Sequence, residues 1–209
     1  MRAGRRTYDL LYRVWAPWDR VGIRPELQAL LAEGAVTPTT HPRVVDLGCG
    51  AGRTAVGLAR LGFEVTGVDL SAVALRQAQR RASDAGVTDR CRWLQRDLTD
   101  PSTLAHEVGH YDLLLDVGTI DDLNGRGRRA AAALAARLAR PGATLLCWCF
   151  YAPIRDLPPI SFTGPSRLTP GFEPGEERTL FDTHFALQRL ARHHERHAFL
   201  HLTRRSGCR

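Results

Sequence analysis

The fold is decided by residues 44–53, Val44-Val45-Asp46-Leu47-Gly48-Cys49-Gly50-Ala51-Gly52-Arg53, or VVDLGCGAGR. The apolar, β-branched run reads as a buried strand ending at Leu47. Gly48 and Gly50 permit positive φ and a close approach of the backbone to a bound molecule. Gly52 opens a helix whose first amides suit an anionic or electron-rich group. Many nucleotide binders use such a turn, so it is narrowed by its neighbours. Arg53 stands where a dinucleotide fingerprint places its third glycine. Asp46 would sit against the pyrophosphate of a dinucleotide, which is unfavourable. It suits instead the ammonium group of an amino-acid-like ligand.

Outward from this turn the chain alternates strand-like and helix-like segments. Residues 53–61 read as a helix and 64–70 (EVTGVDL) as a second strand. Ser71 occupies an N-cap position ahead of a helix that ends at Gly86. Residues 92–95 form a short third strand, and 101–108 a short helix with Pro101 in its first turn. Residues 111–117 (YDLLLDV) form a fourth strand, and 126–140 an Ala-rich helix stopped by Pro141-Gly142. Residues 143–150 (ATLLCWCF) make a fifth strand. This rhythm predicts an α/β fold with a doubly wound, mostly parallel sheet. Residues 153–174, rich in Pro and Gly, read as a long loop over one face. A short helix follows at EERTLFD, and residues 185–190 and 198–203 form a C-terminal antiparallel strand pair. Residues 7–31 read as helical, interrupted at Pro17. No internal repeat is visible.

Length favours one domain across residues 1–209. No apolar run is long enough to span a bilayer, and the basic N-terminus lacks a signal-peptide core, so the expectation is a cytoplasmic protein with no membrane partner. The net charge of +7 would suit nucleic acid. Every basic residue is Arg and none is Lys. That pattern reads as a GC-rich coding bias, and a solvated basic surface is expected in place of a nucleic-acid partner. The five cysteines form no CxxC pair, which argues against a disulfide framework or zinc site. Cys147 and Cys149 share a strand face and read as core thiols. His193, His194, His197 and His201 lack a strong ligand spacing, so no metal is expected.

Two further carboxylates complete the pattern. Asp69 ends the second strand, 21 residues after Gly48, where a carboxylate reaches ribose hydroxyls. Asp97 follows the third strand at the carboxyl end of the sheet, where it could accept from an adenine amino group or close a turn. Together these stretches, with LQRDLTD, YDLLLDVGTIDDL and LARPGATLLCWCF, resemble the cofactor-binding core of class I S-adenosylmethionine-dependent methyltransferases. The resemblance covers residues 43–150 and extends through the strand pair to about residue 204. It implies an N-terminal helical lid segment at 1–42, a substrate-side loop at 151–176, and a closing helix and strand pair at 177–204.

The resemblance also implies roles. Asp46 and the backbone of Gly48, Cys49, Gly50 and Gly52 would hold the methionine end of S-adenosyl-L-methionine. Asp69 would bind the ribose, with Leu70 against adenine. Asp97 would receive the adenine amino group beside the Leu98 amide, and Asp116 and Val117 would line the methionine pocket. Residues 16–27 (APWDRVGIRPEL) are similar to a segment that closes the cofactor site in thiol, thiopurine, halide and tellurite methyltransferases, which brings in Trp18. Tyr8, Tyr12 and Trp15 either form an aromatic lid over a sulfonium or pack on the sheet. Tyr151 is a further lid or substrate candidate.

The implied reaction is in-line transfer of a methyl group to a small-molecule thiol, hydroxyl or amine, leaving S-adenosyl-L-homocysteine. The sulfonium is already a good electrophile, and proximity and orientation can supply about 7–11 kcal/mol, so a base is optional. Asp121 and Asp122 are the candidates for a base or for holding a cationic acceptor, against an acidic loop or cap. An Asn/Asp-Pro-Pro-Tyr/Phe motif is absent, and the sequence reads DVGT there, which argues against methylation of DNA bases or a protein glutamine. The other readings are an RNA or protein methyltransferase and a non-catalytic binding or scaffold protein. A monomer or homodimer is expected.

Overall fold

A computed structural model of the chain describes residues 5–14, 16, 19, 22–156, 171–193 and 196–206. Five parallel strands form its centre: β1 (Arg43–Leu47), β2 (Glu64–Asp69), β3 (Cys91–Gln95), β4 (Tyr111–Val117) and β5 (Ala139–Phe150). β6 (Phe185–His193) and β7 (His197–Arg204) join antiparallel, giving the order β3-β2-β1-β4-β5-β7-β6. The chain starts in the middle and winds outward twice, so the order reverses between β1 and β4. Ligands of open α/β sheets bind at the carboxyl ends of such a pair.

Side-chain alternation explains how both faces are covered. Val44, Leu113, Leu115, Leu146 and Trp148 face one way, onto α2 (Pro25–Ala32) and α3 (Arg53–Arg60). Their neighbours Val45, Leu114, Leu145, Cys147 and Cys149 face the other way, onto α5 (Gly125–Leu138) and α6 (Glu176–Phe181). A strand buried on both faces must be apolar at every position, which is why LLL fills the middle of β4. α4 (Ala72–Asp84) packs on β3, with its N-cap Ser71 accepting from the Ala74 amide at 3.2 Å. α1 (Arg5–Val14) lies across α4.

Three boundaries differ from the sequence reading. The short helix expected at 101–108 is a run of turns. The Asp100 carboxylate takes the Ser102 amide and hydroxyl, each at 2.8 Å, and Leu104 adopts φ 54°. Side-chain capture of backbone amides and a left-handed residue both oppose a helix. The Ala-rich helix stops at Leu138, ahead of Pro141-Gly142, because residue 140 precedes a proline and is biased away from helix. Ala139 then pairs with Tyr111, the register slips, and pairing resumes at Leu113–Thr144. Gly142, at φ 77°, lets β5 bulge there. The C-terminal strands are longer than expected, β6 by three residues at its end and β7 by one at each end. Most of the loop read at 153–174, with Trp15, Trp18, His194 and Cys208, lies outside the described residues.

Candidate active site

The carboxyl ends of β1, β2 and β4 carry the site. Gly48 and Cys49 donate their amides to the Val68 carbonyl at 2.8 and 3.0 Å, folding the glycine turn against β2. Gly48, Gly50 and Gly52 adopt φ of 76°, 54° and 74°. A Cβ would strike Thr119 from Gly48, the Tyr12 phenol from Gly50, and Ala78 and Trp93 at 2.7 Å from Gly52. Each glycine is therefore required by a different neighbour as well as by its backbone. Arg53 pairs with Asp19 at 3.3 Å and donates to the Asp19 carbonyl, tying the helix after the turn to the N-terminal segment.

Asp46 ends up beneath this turn, 3% exposed. No described residue donates a hydrogen bond to its carboxylate. Burial first, then the nearby Asp116 and Asp69, push its pKa up to about 7. Asp116, at the end of β4, is likewise pushed up to about 7 by burial, although its oxygens accept from the Ile120 amide at 3.0 Å and the Cys147 thiol at 3.2 Å. A buried carboxylate without a donor is costly, and a cation placed beside it removes that cost.

Asp69 bridges two elements. One oxygen accepts the Gly50 amide at 2.8 Å, the other the Ser71 amide at 2.7 Å. Burial raises its pKa in spite of these bonds. Each carboxylate oxygen has a second lone pair, so ribose hydroxyls could still be received. Asp97 closes a turn, accepting the Thr99 amide and hydroxyl at 2.8 and 2.7 Å. Leu98 is buried and Leu70 half-buried beside it. Burial, then Asp69 and Asp46, raise the Cys49 thiol well above its ordinary range.

The adjacent carboxylates Asp121 and Asp122 have opposite surroundings. Asp121 is buried. Its Oδ2 accepts the Phe150 amide at 2.7 Å, and its Oδ1 has no partner among the described residues. Burial, then Asp116, push its pKa well up. Asp122 is half-buried and accepts the Tyr8 hydroxyl at 2.6 Å. Arg128 fixes the base of this loop: it donates to the Asp121 carbonyl at 2.7 Å, pairs with Glu176 at 2.8 Å, and stacks over Phe172. Tyr151 is buried, donating to Glu177 at 3.0 Å and accepting from the Gly175 amide at 3.2 Å, so its phenol is committed to the α6 side.

α1 spans the opening. Tyr8 reaches Asp122, Tyr12 lies over Gly50, and the Tyr12 carbonyl accepts from Gln77 at 2.9 Å. Between them Asp9 accepts the Ser71 hydroxyl at 2.6 Å and the Val73 amide at 3.1 Å, capping α4 from outside. Asp9, Thr119 and Gln77 carry no sequence signal, because each acts only through a partner far away in the chain. No His, Cys, Asp and Glu group among the described residues is arranged to hold a metal ion, and no helix among them is long and apolar enough to cross a membrane.

Comparison with known proteins places this geometry. Residues 44–142 match a methyltransferase-domain family model. The chain is 31% identical over 156 residues to a ubiquinone biosynthesis O-methyltransferase of Albidiferax ferrireducens, covering 72% of this chain and 57% of the relative. The first curated relatives are spanned over 24–57% of their length. A protein solved in work on conversion of a disulfide bond into a thioacetal group during echinomycin biosynthesis superposes with TM-score 0.77, at 23% identity over 98% of this chain and 93% of that one. The Burkholderia thailandensis 1,6-didemethyltoxoflavin-N1-methyltransferase, solved with its acceptor and S-adenosylhomocysteine, gives TM-score 0.69 at 19% identity, over 97% and 87%. The turn and the strand order thus agree with the match to a methyltransferase domain over residues 44–142, on a fold shared with a solved methyltransferase.

Proposed function

We propose that this protein binds S-adenosyl-L-methionine and moves its methyl group to a small-molecule thiol, hydroxyl or amine. The observation that carries the reading is Asp46: a 3% exposed carboxylate under a three-glycine turn, with no donor among the described residues. It fits the ammonium of the cofactor's methionine end. The glycine-turn backbone would take the rest of that end, Asp69 the ribose, Leu70 and Leu98 the adenine faces, and Asp97 its amino group. Asp116 and Val117 would line the methionine pocket. The small-molecule methyltransferases among its relatives and neighbours support an acceptor of that size.

When bound, the cofactor would supply an activated methyl group for in-line transfer. The chain's own residues bind, orient and exclude water. The rim formed by β4 and its loop sets the acceptor, while α1 with Tyr8 and Tyr12 roofs the cleft. Calorimetry of the full chain with S-adenosyl-L-methionine and S-adenosyl-L-homocysteine tests the reading. Binding of both, with methyl transfer to a member of a thiol, phenol and amine panel, is the expected result. Binding of neither overturns it, and binding without transfer to any acceptor points to a non-catalytic cofactor-binding protein.

A further inference from the structure

The peptide between Ala51 and Gly52, inside the glycine turn, is held from both sides. Its N–H donates to the Cys49 carbonyl at 3.0 Å. Its carbonyl, on a residue 1% exposed, accepts from Nη1 of Arg81, in the last turn of α4. The other arm of that guanidinium, Nη2, pairs with the Asp19 carboxylate at 3.4 Å. The second Asp19 oxygen takes Arg53 at 3.3 Å. Two more contacts moor the same stretch on α3. The Thr54 hydroxyl donates to the Gly22 carbonyl at 3.1 Å, and Ile23 lies against Gly57, where an added Cβ would come within 3.0 Å of it. The N-terminal segment, α4 and the glycine turn thus meet at one guanidinium.

We propose that Arg81 is a positioning residue for the cofactor turn: it holds the Ala51 carbonyl while Asp19 holds Arg81, so that docking of the N-terminal segment and the shape of the turn form one coupled unit. This rests on the cofactor reading above, in which the turn takes the methionine end.

The turn needs such a brace. Glycines on each side of Ala51 give little steric resistance to backbone rotation, so hydrogen bonds must impose its shape. A buried carbonyl also requires a donor. Without Arg81 the peptide would rotate to find one, and the neighbouring amides would turn with it.

The ion pair is not by itself the source of the effect. The Arg81 and Asp19 side chains are 27% and 17% exposed, and part-exposed pairs contribute little through charge alone. The planar fork of Arg matters more. It sets one nitrogen on a carbonyl and another on a carboxylate, a span the single nitrogen of Lys does not cover. Asp19 has a second task, because it lies between two guanidinium groups. Removing its charge leaves Arg53 and Arg81 as facing like charges. Arg81 also lines an open groove of about 530 Å3 with Gly22, Arg53 and Gly57. Shortening it therefore leaves no sealed cavity, and little packing is lost.

The test uses the full chain with S-adenosyl-L-homocysteine. Calorimetry compares the parent, Arg81→Gln, Arg81→Lys, Asp19→Asn and the double variant Asp19→Asn/Arg81→Gln. Arg81→Gln should raise Kd on the order of tenfold, the scale of one charge-assisted hydrogen bond. Arg81→Lys keeps the charge and should still lose most of that affinity. Asp19→Asn should raise Kd about fourfold, and the double variant should stay within about twofold of Arg81→Gln, because residues acting in series are not additive. A merely structural Arg81 would lower the melting temperature and leave the Kd of the folded protein unchanged. Hydrogen exchange on the ligand-free chains gives a reading without cofactor: residues 48–53 should open faster in Arg81→Lys, with β4 and β5 unchanged. An Arg81→Lys variant that binds like the parent overturns the proposal, as does a double variant showing the full product of the single effects, or unchanged exchange in the turn. If Arg81→Gln does not fold, Arg81→Lys and Asp19→Asn decide on the same readings. A parent that binds no cofactor sinks the cofactor reading, while the exchange comparison still decides whether Arg81 holds the turn.

Discussion

Asp46 is a residue whose chemistry sets stability against binding. In the ligand-free protein above pH 7 it is a buried anion with no donor among the described residues. Asp46→Asn removes that charge at nearly constant volume. The variant should therefore be more stable than the parent at pH 8, by about 1–3 kcal/mol on the usual scale for relieving a buried, unpaired charge. At pH 5, where Asp46 already holds a proton, the gain should largely vanish. The same variant should lose at least tenfold in affinity for both S-adenosyl-L-methionine and S-adenosyl-L-homocysteine. Thermal melts at the two pH values and calorimetry check this. A variant that binds normally would remove Asp46 from the site. The residue was legible in the sequence because it sits inside the motif, two positions before Gly48. What the sequence could not show was that no described residue donates to it, or that Asp116 and Asp69 arrive beside it from other strands. The pair Asp121 and Asp122 makes the same point. Adjacent identical residues read alike, yet one is buried behind the rim and the other faces it.

At the scale of the element, α1 is the part of the molecule least visible in the sequence. The aromatic spacing of Tyr8 and Tyr12 suggested either a lid or a packing helix, and the helix has no fully buried residue. Its attachments are polar: Tyr8 to Asp122, Asp9 to Ser71 and Val73, and the Tyr12 carbonyl to Gln77. Ser71 also donates its amide to Asp69, which in turn holds Gly50. The roof is thus linked through one serine to the carboxylate proposed for the ribose. Asp9→Ala removes an N-terminal cap, which typically costs about 1 kcal/mol. If ordering of α1 accompanies cofactor binding, about that much is lost from affinity, close to a fivefold rise in Kd. Hydrogen exchange should show faster opening of residues 5–14 with little change in β1 or β4. Unchanged exchange in α1 would mean that Asp9 does not hold the helix. The strands, by contrast, were legible because continuous apolar runs and alternating glycines are local signals. The missed element at 101–108 failed for a local reason as well: the Asp100 and Asp97 side chains outcompete the helix for backbone amides.

For the whole molecule, the distribution of shifted carboxylates fixes how pH acts. Asp46, Asp69, Asp116 and Asp121, all at the ligand end of the sheet, have raised pKa values, chiefly through burial. At the opposite end Asp112 stays low: burial opposes ionisation, but the guanidinium groups of Arg43 and Arg140 overcome it. The two sets act in opposite directions. A group raised in the folded state contributes stability that is present below its unfolded value, near 3.9, and lost as pH rises through its folded value. Asp112 contributes stability present above that unfolded value and lost as pH falls through its lowered one. The ligand-free protein should therefore be most stable near pH 4 and weaken as pH rises from there to about 7, where Asp46 and Asp116 ionise. Cofactor binding should run the other way. An ammonium group favours ionised Asp46, so binding must expel the proton held there, and affinity should rise with pH between 6 and 7.5, by at most tenfold per pH unit for one proton. Calorimetry at pH 6.5 in two buffers of different ionisation enthalpy should show net proton release on binding, for S-adenosyl-L-methionine and S-adenosyl-L-homocysteine alike, since both carry the ammonium. Asp46→Asn should abolish most of that release. Proton uptake, or a release the variant leaves intact, would place the coupled proton on a group other than Asp46.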